Sequence, residues 1–353
     1  MKIAIIADCH LGVNKFRKMD KNGFLNMYSH LNDESFKEAI KIAKDNSDAL
    51  IIAGDLFEFP NPNVRSINLA KEQLKFYEKD VYLLGGNHDY SQINKDINCH
   101  PFDLINEDNV HKFYEEGKVV KLNDNLKISF LPYKCLNAEN YAKIYDFNDK
   151  DFIKNSQNKS ILVFHGSLDL SNFVEEDTEN EFSLDKEIAK NYNLVISGHV
   201  HLPRLLKTNS VSVLTPGSLM GSNQATQDSI RPSVYIYNTE NNEIKRIELQ
   251  TPPKIFNYIT DDINKILENI SSNENKDEFN NLYFIKYNGR VQDIDEYLYK
   301  RSIQKSLNLS IITNEVNNLE DEVIEKISDF WKYIEENYPD YEDEFKEFLK
   351  ENY

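Results

Sequence analysis

The chain has 353 residues and a formal net charge of −18, from 41 Lys and Arg against 59 Asp and Glu. That balance argues against a protein that grips nucleic acid through a broad basic surface. Residues 315–353 hold fourteen acids against four lysines, so the remainder is only mildly acidic and a phosphate-bearing substrate stays admissible.

The length exceeds one ordinary core, so a large domain of roughly 200 to 250 residues and a smaller part are expected. Cys9, Cys99 and Cys135 are an odd, widely spaced set without a Cys-x-x-Cys pair. Neither a disulfide framework nor a zinc ribbon is suggested, and a reducing compartment fits. The opening MKIAIIADCH lacks the apolar stretch of a signal peptide, and no later run reaches membrane-spanning length. A cytoplasmic protein with no membrane partner is the expectation.

Short β-rich apolar runs recur at residues 3–7, 49–53, 81–84, 126–131, 161–164 and 194–197, with helix-like stretches at 33–44 and 64–77. Unbroken hydrophobicity means strands covered on both faces, which predicts a layered α/β fold with functional loops at the strand ends. Runs at 210–214, 233–237 and 244–249 alternate more and lie close together, as hairpins of a second sheet would. An α/β sandwich of two facing sheets over residues 1–252 accounts for this pattern.

Thr251-Pro252-Pro253 interrupts any element and marks a boundary. A small α+β unit is expected over 253–313: helix 261–270, acidic loop 271–278, strand 282–287, helix 293–300 and strand 309–312. Beyond it, over 314–353, Val316, Leu319, Val323, Ile324, Ile327, Trp331 and Ile334 make one apolar face of an acidic helix. Asn337-Tyr338-Pro339 ends that helix, and a short second one follows.

Five fragments end apolar runs with metal-type side chains: Asp8-Cys9-His10, Gly54-Asp55, Gly86-Asn87-His88-Asp89, Phe164-His165-Gly166 and Gly198-His199-Val200-His201. Asp8 and His10 are two apart, and strand periodicity predicts that both face one side while Cys9 points away. Gly54 would let the chain turn so that the Asp55 carboxylate bridges two cations. Asn87 offers an amide oxygen, with Gly85-Gly86 permitting close approach. His88 cannot easily share that cation, so it is free to face a substrate, with Asp89 accepting from its other ring nitrogen. His165, His199 and His201 complete the set, while His30, His100 and His111 read as structural or surface residues. Oxygen and nitrogen donors of this kind suit Mn²⁺, Fe or Zn rather than Ca²⁺. A phosphoester is the natural substrate, with His88 supporting the leaving oxygen.

The series D-x-H, G-D, G-N-H-D, H, G-H-x-H resembles the calcineurin-like metallophosphoesterases over about the first 250 residues. The resemblance implies an α/β/β/α sandwich, with Asp8, His10, Asp55 and His201 on one divalent metal and Asp55, Asn87, His165 and His199 on a second, Mn²⁺ being the expected ion. His88 takes the transition-state role, with Asp89 its catalytic companion.

Asp8-Cys9-His10-Leu11-Gly12, Gly54-Asp55-Leu56-Phe57, Leu131-Pro132-Tyr133 and Pro216-Gly217-Ser218 look like the SbcD-type nuclease subunits of double-strand-break repair. That implies exonuclease and single-strand endonuclease action on DNA, a capping domain, and a C-terminal segment docked on an SbcC-type SMC-like ATPase; a homodimer stays open. Lys15, Phe16, Arg17 and Lys18 follow the first metal loop, and Arg65 and Tyr90 lie near the second and third, as candidate DNA contacts. The competing readings are a stand-alone phosphatase or phosphodiesterase on a small phosphoester, and a non-enzymatic scaffold, which typically loses ligands that this chain keeps.

Overall fold

In the computed structural model, which describes residues 1–15, 26–90, 100–135, 158–166, 191–207, 211–221, 231–272 and 281–313, strand β1 (Lys2–Ile6) explains its own unbroken apolar run. Ala4 and Ile6 face a core shared with helices; Ile3 and Ile5 face a second core shared with another sheet. A strand with water on neither side needs no alternation.

Helix α1 (Met27–Asn46) is capped by Asn26, whose side-chain oxygen accepts from the Tyr28 and Ser29 amides. It starts well before the expected residue 33, because the cap lies ahead of the apolar periodicity. Strand β2 (Ala49–Ile52), helix α2 (Val64–Tyr77), capped by Asn63, and strands β3 (Val81–Leu84) and β4 (Val110–Phe113) follow. Strands β1 to β4 are parallel neighbours in sequence order. Phe36, Ala39, Ile40 and Ala43 of α1, with Leu69, Ala70 and Leu74 of α2, close one face of this sheet.

The second sheet contains β5 (Lys118–Asn123), β6 (Leu126–Leu131), β7 (Lys159–His165), β8 (Leu194–Gly198), β9 (Arg204–Lys207) and β10 (Ser212–Thr215), in spatial order β5-β6-β7-β8-β10-β9. Between the sheets lie Ile128, Phe130, Ile161, Val163, Leu194, Ile196 and Leu214, packed on Ile5, Ile51, Tyr82 and Leu84. Tyr82, Phe113 and Phe130 stack in this layer, the Phe113 and Phe130 rings lying 4.2 Å apart.

The chain then returns to the first sheet. Strands β11 (Ser233–Asn238) and β12 (Glu243–Glu248) form a hairpin whose β11 pairs antiparallel with β1, giving the order β12-β11-β1-β2-β3-β4. The hairpin was expected in the second sheet. Alternation reveals that one face is covered, not by which sheet, and here the free edge of β1 takes the strand. Strand β10 does join the second sheet, parallel to β8. Strands β4, β5 and β9 are edge or near-edge strands with short or mixed patterns, and they did not stand out in the sequence.

These elements form one unit, Met1–Asn257 with Phe279–Leu282; the second comprises the described residues of Tyr258–Glu278 and Tyr283–Tyr353. Strands β13 (Ile255–Thr260), β14 (Leu282–Tyr287) and β15 (Asn308–Thr313) make a three-stranded sheet in that order. Helices α3 (Ile263–Ser272) and α4 (Glu296–Gln304) accompany it, tied by Ser302 Oγ donating to the Leu267 carbonyl at 2.9 Å. Strand β13 was not anticipated. The acidic helix expected over 314–353 lies outside the described residues. No helix among the described residues is long and apolar enough to cross a membrane.

Candidate metal centre

Strand β1 ends at Ile6 and β2 at Ile52, yet their pairing continues as a ladder into the loops. The Ala53 amide donates to Ile6 O at 2.9 Å, Asp8 to Gly54 O at 3.1 Å, His10 to Asp55 O at 3.0 Å, Leu11 to Leu56 O at 2.9 Å, and Glu58 back to Leu11 O at 3.1 Å. Along this ladder the backbone is not a strand. Asp8, His10 and Asp55 have φ of 50°, 47° and 50°, and His199 on the far side has 92°. These are four of the six non-glycine residues with positive φ among the described residues. Such conformations cost of order 1–3 kcal/mol each and collect at functional sites. Strand periodicity therefore does not bring Asp8 and His10 together, contrary to expectation; two left-handed residues flanking a buried Cys9 do.

From the first sheet, the ends of β1, β2 and β3 supply Asp8, His10, Asp55, Asn87 and His88; from the second, β7 and β8 supply His165, His199 and His201. All lie at the carboxyl ends of parallel strands, where open α/β sheets place their ligands. His10 Nε2 and His201 Nε2 are 3.0 Å apart, and Asp55 Oδ2 is 3.7 Å from His10 Nε2 and 3.3 Å from His165 Nε2. Asn87 Oδ1 lies 2.9 Å from both His165 Nε2 and His199 Nδ1. Asp8 takes the His199 amide on Oδ1 at 3.0 Å. The donors form two groups, one around Asp8, His10 and His201 and one around Asn87, His165 and His199, with Asp55 between them.

Glycines make the approach possible. A Cβ on Gly54 would overlap the His165 ring, and one on Gly86 would overlap Asp55 Oδ1. His165 Nδ1 is held by Ala53 O at 2.9 Å, which leaves Nε2 aimed inward.

Asp8, Asp55 and Asp89 are almost fully buried. Burial, opposed by His165, pushes Asp8 up to about 6. Burial and the neighbouring Asp55 charge push Asp89 up to about 7. Asp55 is also penalised by burial, but the charge and hydrogen bond of His165 outweigh this and hold it below the usual carboxylate range. Burial alone would depress His165, yet Asp55 and then Asp8 raise it to about 9, while burial and His10 lower His201 to about 3. Buried carboxylates this close repel one another unless positive charge is shared among them. Imidazole nitrogens that face one another across 3.0 Å cannot both keep lone pairs aimed at the gap without a cation or proton between them. The donor set therefore fits divalent metal ions.

His88 departs from expectation in its partner. Its Nδ1 lies 2.9 Å from the Glu58 carbonyl, and its amide donates to Asp55 Oδ1 at 2.9 Å. Asp89 does not serve it: that carboxylate accepts from Phe57 N at 3.1 Å and Gly86 N at 2.9 Å. Asp89 thus clamps the loop carrying Asp55 to the loop carrying Asn87 and His88. In this tight turn the carboxylate lies nearer to backbone amides than to the neighbouring ring.

Two contributors went unread. Glu58 sets Oε2 2.8 Å from His10 Nδ1, and Asn32 of α1 donates from Nδ2 to His10 O at 2.9 Å. An acid three residues beyond Asp55 was a readable signal; a helical asparagine 22 residues from His10 gave none.

Of the candidate DNA contacts, Arg17 and Lys18, like Phe16, lie outside the described residues. Lys15 is exposed and close enough to depress both Glu58 and His201. Arg65 pairs with Asp33 across α1 and α2, and the Tyr90 hydroxyl donates to the Tyr114 carbonyl while its ring packs on His100. Tyr90 is thereby committed within the fold, while Arg65 keeps its side chain about half exposed beside Asp33. His111 pairs with Asp80 at 2.8 Å, as a surface residue would.

A protein of Methanococcus maripaludis named DNA double-strand break repair protein Mre11 is 31% identical over 219 residues, 59% of this chain and 54% of that protein. The SbcD subunit of the SbcCD nuclease of Staphylococcus saprophyticus is 23% identical over 255 residues, 62% of this chain and 61% of that one. A solved archaeal phosphodiesterase is 20% identical with a TM-score of 0.37, covering 70% of this chain and 100% of its own. The chain thus spans between half and two thirds of the curated relatives' lengths. Residues 1–203 match the calcineurin-like phosphoesterase family, a stretch that runs from β1 past His201 and holds every donor of the centre. The chain belongs to the calcineurin-like phosphoesterase family.

Proposed function

We propose that this chain hydrolyses phosphodiester bonds in DNA with two divalent cations, as the nuclease subunit of an SbcCD-type repair complex. The observation that carries the reading is Asp55, whose Oδ2 faces His10 on one side and His165 on the other. Asp8, His10, Asp55 and His201 would hold one cation, and Asp55, Asn87, His165 and His199 the other. When bound, such a pair, Mn²⁺ in this reading, neutralises phosphoryl oxygens and makes a water nucleophilic at neutral pH.

The chain's own groups do the rest. Nδ1 of His88 is engaged by the Glu58 carbonyl, which fixes the ring and leaves Nε2 to carry a proton to the leaving oxygen. Asp55 Oδ1 fixes the backbone of the same residue, so the candidate acid and the carboxylate that would be shared by the two cations move as one piece. Asp89 keeps their two loops in register. Lys15 adds positive charge at the rim for a phosphate backbone.

DNA as substrate is supported by the names of the relatives, Mre11 and the SbcD nuclease. Docking of residues 314–353 on a coiled-coil ATPase, self-pairing and a cytoplasmic site belong to the same reading. An Mn²⁺-dependent assay on linear duplex DNA and on a small chromogenic phosphodiester, with and without the ATPase, tests it. DNA cleavage stimulated by the partner is expected. Turnover confined to the small ester, whatever the partner, would instead favour a stand-alone phosphodiesterase.

A further inference from the structure

We propose that Glu58 is a positioning residue of the metal centre, holding His10 in the orientation and tautomer that binding requires. The inference rests on the dinuclear reading above and extends it to a residue outside the ligand set. Glu58 is mostly buried and its Oε2 lies 2.8 Å from His10 Nδ1, a buried nitrogen with no other polar group of the described residues set to bond it, so a small turn of either side chain completes the contact. The opposite nitrogen, Nε2, is the one that faces His201 and Asp55. A carboxylate on Nδ1–H keeps the proton away from Nε2 and makes that lone pair a stronger donor. Neutral imidazole has one proton to place, and Glu58 decides where it goes.

Glu58 is placed by the backbone rather than by its own flexibility. Its amide donates to Leu11 O, the next rung of the ladder that carries His10 N to Asp55 O. The two loops cannot slide without breaking that rung, so the carboxylate arrives beside His10 whenever the ladder forms. The carbonyl of the same residue engages His88 Nδ1. One residue thus fixes a metal ligand through its side chain and the candidate acid through its main chain, and side-chain substitution separates the two.

The test is a Mn²⁺ titration of the full chain, read as the loss of free-ion paramagnetic resonance signal, for wild type, Glu58→Ala and Glu58→Gln, with thermal melts of each. Wild type is expected to bind two ions. Glu58→Ala should weaken one of them about 10- to 100-fold, the usual effect of losing such an outer partner. Glu58→Gln, whose amide oxygen still accepts from Nδ1–H, should recover most of that affinity. Two wild-type affinities in Glu58→Ala, or a Glu58→Gln as weak as the alanine variant, overturns the positioning role. Failure of wild type to bind a pair of ions would instead remove the dinuclear reading and this inference with it. Should Glu58→Ala melt far below wild type, Glu58→Gln against Glu58→Asp carries the comparison, since aspartate keeps the charge but falls short of the ring; an aspartate variant as tight as wild type also overturns it.

Discussion

Two depressions on the first unit use their polar groups differently. At the strand ends, buried carboxylates and buried or half-buried imidazoles and an amide face one another at 2.9–3.7 Å, four of the residues on positive-φ backbone. Between the edges β4 and β5 lies a groove of about 470 Å³, lined by Tyr82, His111, Lys112, Phe113, Lys118 and Lys121. Most of its charges are already engaged: Lys112 donates to the Phe102 and Ile105 carbonyls, Lys121 pairs with Asp124, and His111 with Asp80. Lysines on edge strands are a familiar guard against strand addition. Volume and charge alone do not make a site; convergence of buried donors on strained backbone does.

Substitutions sharpen this contrast, beginning with the largest effect. His88→Ser should retain Mn²⁺ binding yet lose about 10²- to 10⁴-fold in phosphodiester turnover, the usual contribution of a positioned acid. Unchanged turnover would detach His88 from the chemistry. Gly86→Ala drives a methyl into Asp55 and should cost about 1–3 kcal/mol in urea unfolding together with weaker Mn²⁺ binding. Normal binding there would mean the loops are looser than their hydrogen bonds imply. Asn32→Ala leaves the His10 carbonyl buried without its donor and should cost about 1–3 kcal/mol. A neutral result would show that the carbonyl finds water.

The same contrast separates two buried histidines. His165 is raised by carboxylates, whereas burial among Tyr90, Phe102 and Tyr114 lowers His100 to about 3 despite the charge of Asp103. Between pH 3 and the ordinary histidine value of 6.5 the unfolded chain binds the proton that folded His100 refuses. Its contribution to stability is complete above 6.5 and declines as the pH falls. Urea unfolding at pH 7 and pH 5 should show a smaller acid loss for His100→Gln than for wild type. The smallest effect is reserved for the groove: Lys118→Ala with Lys121→Ala should change stability by less than about 0.5 kcal/mol and leave Mn²⁺ binding alone. If the pair slowed DNA turnover at low salt, the groove would have to be counted as a substrate surface.

Much of the candidate centre was legible because its donors are punctuation: each ends an apolar run, and strand ends are where parallel sheets place their sites. The core strands were equally plain, since two-sided burial erases alternation in runs such as 49–53 and 161–164. What stayed hidden was long-range or conformational. Nothing local told β11 to pair with β1 rather than with the second sheet. Period-two reasoning applied to Asp8 and His10 presumed a strand where the chain is left-handed. Adjacency pairs Asp89 with His88, although the three-residue turn there directs it to the amides of Gly86 and Phe57. Glu58 went unread because only the ladder, a long-range pairing, brings it to His10.

That ladder has a consequence for how the protein could be monitored or redesigned. The spacing of Asp8, His10, Asp55 and Glu58 is inherited from the alignment of β1 against β2, so a one-residue slip would reverse which side chains point outward and scatter the donors. Cation uptake is then a built-in gauge of correct strand alignment: misfolded or shifted chains should be chemically silent rather than partly active.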